Sequence, residues 1–228
     1  MAGDRLWNHA DGRAPRRDGT HHGGLRPRGP RRERRRSLTV DRELAAIGAL
    51  LGEAGGRGVL CGHSSGCSLS LLAAARGLPV SGLALWEAPL APPHSGASEL
   101  ADELRTFVAA GELDRALSLY MRDMPPEILE FVKAIPAMVD QAASLQPDAD
   151  SLAWAESAPL TELLEGIRIP VLAMVGTSSY DEVMVPAAES IVAAIPGAQW
   201  KRVPGAEHEW EPVPMAAQLA AFASRAMG

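Results

Sequence analysis

Cysteine is scarce in this 228-residue chain and long apolar runs are missing, and each shortage excludes a class of protein. Two thiols, Cys61 and Cys67, are too few for a disulfide framework, so a reduced, cytoplasmic setting is the simplest reading. No apolar stretch approaches the roughly 20 residues of a membrane-spanning helix, so no membrane partner is expected. His21 and His22 stand without the cysteine or carboxylate spacing of a zinc site, and nothing else calls for a metal or cofactor.

Residues 1–36 lack something else: after Trp7, Leu25 is their only large apolar side chain. Eleven arginines there face Asp4, Asp11, Asp18 and Glu33, a surplus of seven positive charges that leaves the rest of the chain near −13. With repeated Gly and Pro and no hydrophobic period, the segment is expected to be a disordered leader. Arginine blocks bind nucleic acid by counterion release, but a solvated leader is the commoner role, so nucleic acid is not an expected partner. A secretory signal would need an apolar core behind Arg16–Arg17, and an organelle transit peptide would be poor in acids.

From about Ser37 the composition turns ordinary: over the whole chain 46% of residues are hydrophobic and 22% charged, the usage of a globular domain. At 24.1 kDa one domain is expected, over 37–228. SLTVDRELAAIGALLGEAGG reads as a helix with Val40, Leu44, Ile47, Leu50 and Leu51 on one face. RGVLCGH then reads as a strand, SLSLLAAARGL as a helix stopped at Gly77, and VSGLALWEAP as a second strand. Residues 94–160 form an insertion of short helices, predicted in ELADELRTFVAAGELDRALSLYM, PEILEFVKAIPAMVDQ and TELLEGI and punctuated by Pro125, Pro126, Pro136 and Pro147. IRIPVLAMVG and AQWKRVPG give two more strands, VPAAESIVAAIPG a helix between them, and VPMAAQLAAFASRAM a closing helix. Alternating strands and helices, with strands apolar on both faces, predict an α/β fold: a parallel sheet of about four strands covered on both sides.

Between the first strand and its helix stands Gly62-His63-Ser64-Ser65-Gly66, the pattern G-x-S-x-G. At a sharp strand-to-helix turn the serine is held in a strained conformation with its hydroxyl raised at the carboxyl end of the sheet. The Ser65 N–H then lies at a helix N-terminus, where it can donate to an oxyanion. A serine nucleophile needs a base, and of six histidines His208, in VPGAEHEW before the last helix, fits best. His63 reads as packing within the turn, and Glu207 and Glu209 as a solvated rim that disfavours anionic substrates. Met174, Met184, Trp86, Trp154 and Trp210 read as core before pocket lining.

These residues in this order resemble the later part of an α/β-hydrolase-fold serine hydrolase: GHSSG as the nucleophile turn, WEAP after the next strand, a helical cap over 94–160, PVLAMVGTSSYD, and PGAEH as the histidine loop. The resemblance covers about 37–228 and implies Ser64 as nucleophile, His208 as base, Ser65 as oxyanion donor, and a carboxylic ester or similar small apolar molecule as substrate. For the acid it leaves two candidates, Asp181 after the strand that follows the cap and Glu87 after the strand that follows the elbow. It also implies strands ahead of the elbow and a second oxyanion donor that residues 1–36 do not supply. The alternative expectation is therefore a truncated or frame-shifted, catalytically impaired hydrolase, whose edge strand before Ser64 would invite pairing with another chain as a homo-oligomer.

Overall fold

The computed structural model describes residues 38–228; the arginine-rich leader lies outside the described residues. The order of elements follows the alternation in the sequence. Helix α1 (Val40–Glu53) begins on the Thr39 side chain, which accepts the Arg42 N–H, and buries Leu44 and Leu51. Leu50, expected on that apolar face, instead points out, 64% exposed. Strand β1 (Gly58–His63), helix α2 (Gly66–Ala75) and strand β2 (Val80–Trp86) follow. Helix α2 ends where its glycine predicts: Gly77 at φ 77° lets Leu78 N–H reach the Ala73 carbonyl at 3.1 Å.

After the cap come β3 (Val171–Ser178), α9 (Asp181–Ala194), β4 (Gln199–Ala206), a two-residue β5 (Glu209–Trp210) and α10 (Pro212–Met227). The sheet order is β1-β2-β3-β4-β5, parallel from β1 to β4, with β5 antiparallel to β4. Two residues are too few to show a period, which is why the fifth strand escapes a reading by pattern. Among the described residues β1 forms one edge of the sheet.

Strand β2 is buried throughout and its side chains alternate between two cores. Leu83 and Leu85 pack with Leu71 of α2 and Ile191 of α9, whereas Ala84 and Trp86 pack with Met215 and Phe222 of α10. Helices therefore cover both faces, as continuous apolar strands require.

The cap runs through α3 (Ala97–Ala110), α4 (Leu113–Tyr120), α5 (Pro126–Lys133), α6 (Pro136–Asp140), a 3-10 turn (Ala142–Leu145), α7 (Gln146–Ala155) and α8 (Leu160–Leu163). Gly111, at φ 75°, divides α3 from α4. Helix α7 is absent from the sequence expectation because Pro147 reads there as a break. In the structure Pro147 occupies the first turn of the helix, where its missing N–H costs nothing. The cap has its own small core around Leu104, which is fully buried.

Leu71 joins α2 to the sheet with no exposed surface. Leu71→Ala is expected to lower unfolding stability by about 2–5 kcal/mol through the cavity it leaves. Denaturant unfolding checks this, with the midpoint falling at an unchanged slope.

Candidate active site

The carboxyl ends of β1, β2, β3 and the β4–β5 turn meet at one place. Ser64 leaves β1 at φ 53°, an uncommon conformation for a side-chain-bearing residue. Its N–H donates to the Trp86 carbonyl at 3.0 Å, and its own carbonyl accepts the Cys67 N–H at 2.9 Å. The glycines flanking the serine are not equivalent. A Cβ on Gly62 would lie 2.7 Å from the Gly66 carbonyl oxygen and 2.8 Å from Cys67 Cα, so strand and helix can approach only there, whereas Gly66 faces open space.

His208 sits in the two-residue turn between β4 and β5. Both turn residues have positive φ, Glu207 at 50° and His208 at 73°, the pattern of a type I′ hairpin that Asn-Gly fills with less strain. Two side chains hold the turn by its backbone. Trp86 Nε1 donates to the His208 carbonyl at 3.1 Å, and His63 Nε2 lies 3.1 Å from the same oxygen. Because a carbonyl only accepts, His63 carries its proton on Nε2. Burial pushes the His63 imidazole below its ordinary pKa, with the nearby His208 acting in the same direction and the hydrogen bond to the His208 carbonyl opposing both. The His63 and His208 rings lie 4.7 Å apart, which brings the histidine turn beside the elbow.

The carboxylate at His208 is Glu87. Its Oε2 lies 2.7 Å from His208 Nδ1 and its Oε1 accepts the Gly176 N–H at 2.9 Å, with only 1% of the residue exposed. A carboxylate accepts, so Nδ1 carries the proton and Nε2 is left with its lone pair. Glu87 is itself at φ 47°. Gly176 must lack a side chain here, since a Cβ would stand 2.8 Å from Glu87 Oε1.

Asp181, the other carboxylate expected beside the histidine, is placed elsewhere. It opens α9 and is bidentate to Arg202, at 2.9 and 2.7 Å, in an exposed pair. The Arg202 guanidinium holds its carboxyl below the usual range. The segment preceding it reads as a loop, but the helix starts at Asp181 itself and an arginine in the middle of β4 claims the charge.

Ser65 is the cap residue of α2, so its N–H is among those left unpaired at a helix start. Its neighbours come from the insertion. The Ser65 side chain lies near enough to Tyr120, at the end of α4, and to Asp148, in the first turn of α7, to favour the charged form of each. Burial, then the Asp148 charge, pushes the Tyr120 phenol up to about 12. Burial also raises the Asp148 carboxyl, which the Ser65 hydroxyl opposes and Glu43 reinforces. Beneath them Ser68 Oγ reaches the Ser65 carbonyl at 2.7 Å, Ser151 Oγ at 2.7 Å, and Ser151 Oγ reaches the Asp148 carbonyl at 2.8 Å. Both serines are fully buried. Two hydroxyl protons serve three contacts, so at any moment one of the three is without a proton. The elbow helix and the cap helix are thus joined by a buried hydroxyl pair.

Of the aromatic and sulfur side chains considered for a pocket, Trp86 and Met174 lie in the α10-side core and Met184 in the other. The positioning role of Trp86 and His63 has no signature in sequence, because it depends on a backbone carbonyl. Tyr120, Asp148 and Ser151 carry no motif either. Among the described residues no three His, Cys, Asp or Glu side chains gather as metal ligands, and no helix is long and apolar enough to cross a membrane.

The pattern of the alpha/beta hydrolase family matches residues 7–225. The chain belongs to the α/β hydrolase family. No curated protein matches it by sequence. Among solved structures it is similar to an alpha/beta hydrolase from Sphaerobacter thermophilus DSM 20745, with 28% identity over 81% of this chain and 74% of that one and a TM-score of 0.66. It also resembles MenH from S. aureus, with 16% identity, 86% and 79% coverage and a TM-score of 0.55. A hydrolase from Pseudomonas aeruginosa PA01 has 20% identity, 85% and 73% coverage and a TM-score of 0.53. At those last two identities the likeness speaks for the hydrolase fold alone. The family match begins inside the arginine-rich segment, at residue 7.

Trp86→Phe keeps the ring and removes the indole donor to the His208 carbonyl. It is expected to cost about 0.5–1.5 kcal/mol, the net worth of one hydrogen bond, because His63 still donates to that carbonyl. Double-mutant analysis with His63→Leu checks the shared acceptor, since the two losses should not add.

Proposed function

We propose that this α/β hydrolase is a serine hydrolase that cleaves a carboxylic ester or similar small apolar substrate with Ser64, His208 and Glu87. The observation that carries the reading is the buried Glu87 carboxylate on His208 Nδ1, beside a serine held at positive φ. In this mechanism the Ser64 hydroxyl attacks the substrate carbonyl while His208 Nε2 takes its proton. Glu87 fixes the tautomer and stabilises the imidazolium that forms. The Ser65 N–H, at the head of α2, donates to the oxyanion of the tetrahedral intermediate. His208 then returns the proton to the leaving alcohol, and water, activated by the same imidazole, releases the acid from Ser64. His63, kept neutral by burial, adds no charge against the imidazolium.

A second reading keeps the same residues with slow turnover. It is favoured by one observation: among the described residues Ser65 offers the oxyanion site its elbow N–H, and β1 stands at the sheet edge with no strand beyond it to bring a second donor. Loss of one such donor lowers turnover by about 10²–10³.

A fluorophosphonate probe tests the first reading directly. The purified chain is expected to label covalently, and Ser64→Ala to abolish labelling; absence of labelling from a cooperatively melting chain would overturn it. Among carboxylates the expected order is sharp. Glu87→Gln should lower kcat by roughly 10⁴, the scale of losing the orienting acid of a triad, whereas Asp181→Asn should leave kcat within about twofold, since an exposed ion pair contributes little.

A further inference from the structure

The two edges of the sheet are built differently. At one end β5 is two residues long and opens on the charged Glu209, and its neighbour β4 carries Lys201 and Arg202; a short, charged edge resists pairing with another chain. At the other end, among the described residues, β1 runs for six residues, Gly-Val-Leu-Cys-Gly-His, with neither a proline nor a formal charge. Its side chains are only partly covered, whereas β2 beside it is buried throughout. The last turn of α1 lies over its start, since a Cβ on Gly58 would stand 3.0 Å from Leu51 Cδ2, and the adjacent Leu50 is exposed. Arg57 Nη2 donates to the Met227 carbonyl at 3.1 Å, which brings the exposed end of α10 to the same place.

Backbone direction decides what this edge offers. The Ser64 N–H points into the sheet, to the Trp86 carbonyl of β2 at 3.0 Å. Alternation along the strand turns the N–H and C=O of Gly62 and Leu60 the same way, and those of His63, Cys61 and Val59 outward. Among the described residues none of those three has a backbone partner in a turn, loop or helix cap. The outward set is symmetric about Cys61, so a copy of the same strand, turned end for end, matches it in full. Opposed antiparallel residues of this kind exchange both of their hydrogen bonds, and a two-fold interface uses one patch on both copies. Residues 1–36 offer no alternating apolar run for a partner strand, and Pro15, Pro27 and Pro30 interrupt them.

We propose that β1 is the docking edge for a second copy of this chain, the two strands pairing antiparallel about a two-fold axis at Cys61. Each Cys61 then faces the other copy's Cys61, each Val59 the other's His63 and each Leu60 the other's Gly62. A register centred on Leu60 or Gly62 instead pairs one of the outward residues with a residue outside the strand. The dimer has one continuous sheet, and association stops there because each remaining edge is the short, charged β5. The other copy's Gly58 lies across from Ser64, so backbone without a side chain closes that flank of the elbow. None of this depends on Ser64 being a nucleophile.

Cys61 itself reads the register. Opposed hydrogen-bonded residues have Cα atoms about 5.5 Å apart and side chains on one face, within reach of a short bis-maleimide. Cys61 is exposed, whereas Cys67 has no exposed surface to react. The full chain at micromolar concentration is expected to be a dimer by light scattering, and the reagent to bridge it covalently. Cys61→Ser should remain a dimer and lose the bridge. Cys61→Lys sets like charges face to face across the axis and should be a cooperatively melting monomer. A dimer that does not bridge at Cys61, or that persists in Cys61→Lys, overturns the proposal. So does a wild-type monomer, and protection of its Cys61 from a simple maleimide would then point to residues 1–36 on the edge. Where Cys61→Lys fails to melt cooperatively, bridging of the wild type decides alone.

Discussion

The architecture around the site depends on one buried carboxylate. Glu87 has almost no contact with solvent, and an unpartnered charge in that position would be prohibitive, so every neighbour is arranged to satisfy it. Gly176 gives it a backbone N–H and His208 a ring N–H. The residue before it, Trp86, performs two further tasks: its carbonyl takes the Ser64 N–H and its indole holds the His208 turn. The end of β2 thus ties Ser64, His208 and Glu87 together through adjacent residues. This is possible because β2 has a strand on each side, β1 carrying the serine and β3 carrying the glycine.

Strain marks the same place. Among the described residues five without glycine's freedom have positive φ, and four of them are Ser64, Glu87, Glu207 and His208. Each such conformation costs on the order of 1–3 kcal/mol, and is kept only where surrounding bonds over-determine it. The Trp86 carbonyl fixes Ser64, the Met174 carbonyl accepts the Glu87 N–H at 2.9 Å, and His63 and Trp86 fix His208. Each of these strained conformations is thus held by at least one hydrogen bond from a neighbouring element.

What could be read from sequence was what repeats or punctuates. Apolar strands in β1 to β4, the glycine stop after α2 and the G-x-S-x-G turn all carry local signals, so the parallel sheet and the elbow were legible. The carboxylate beside the histidine was narrowed to two residues and no further, because both Asp181 and Glu87 follow a strand and only their partners across the fold, Arg202 for one and His208 for the other, separate them. Helix α7 was hidden by the double meaning of Pro147. The roles of His63 and Trp86 lie in contacts to the His208 backbone, 145 and 122 positions away in the chain, which no periodicity encodes.

The cap follows a different logic from the sheet. In the sheet, charge is neutralised inside the site, Glu87 against His208. In the cap, the contact with the elbow helix is uncharged, a buried hydroxyl pair between Ser68 of α2 and Ser151 of α7. This hydroxyl pair, with the Ser65 and Asp148 carbonyls at its two ends, holds α2 and α7 together. The sheet therefore holds Ser64, His208 and Glu87 through its own hydrogen bonds, while the cap meets it at the buried joint between α2 and α7.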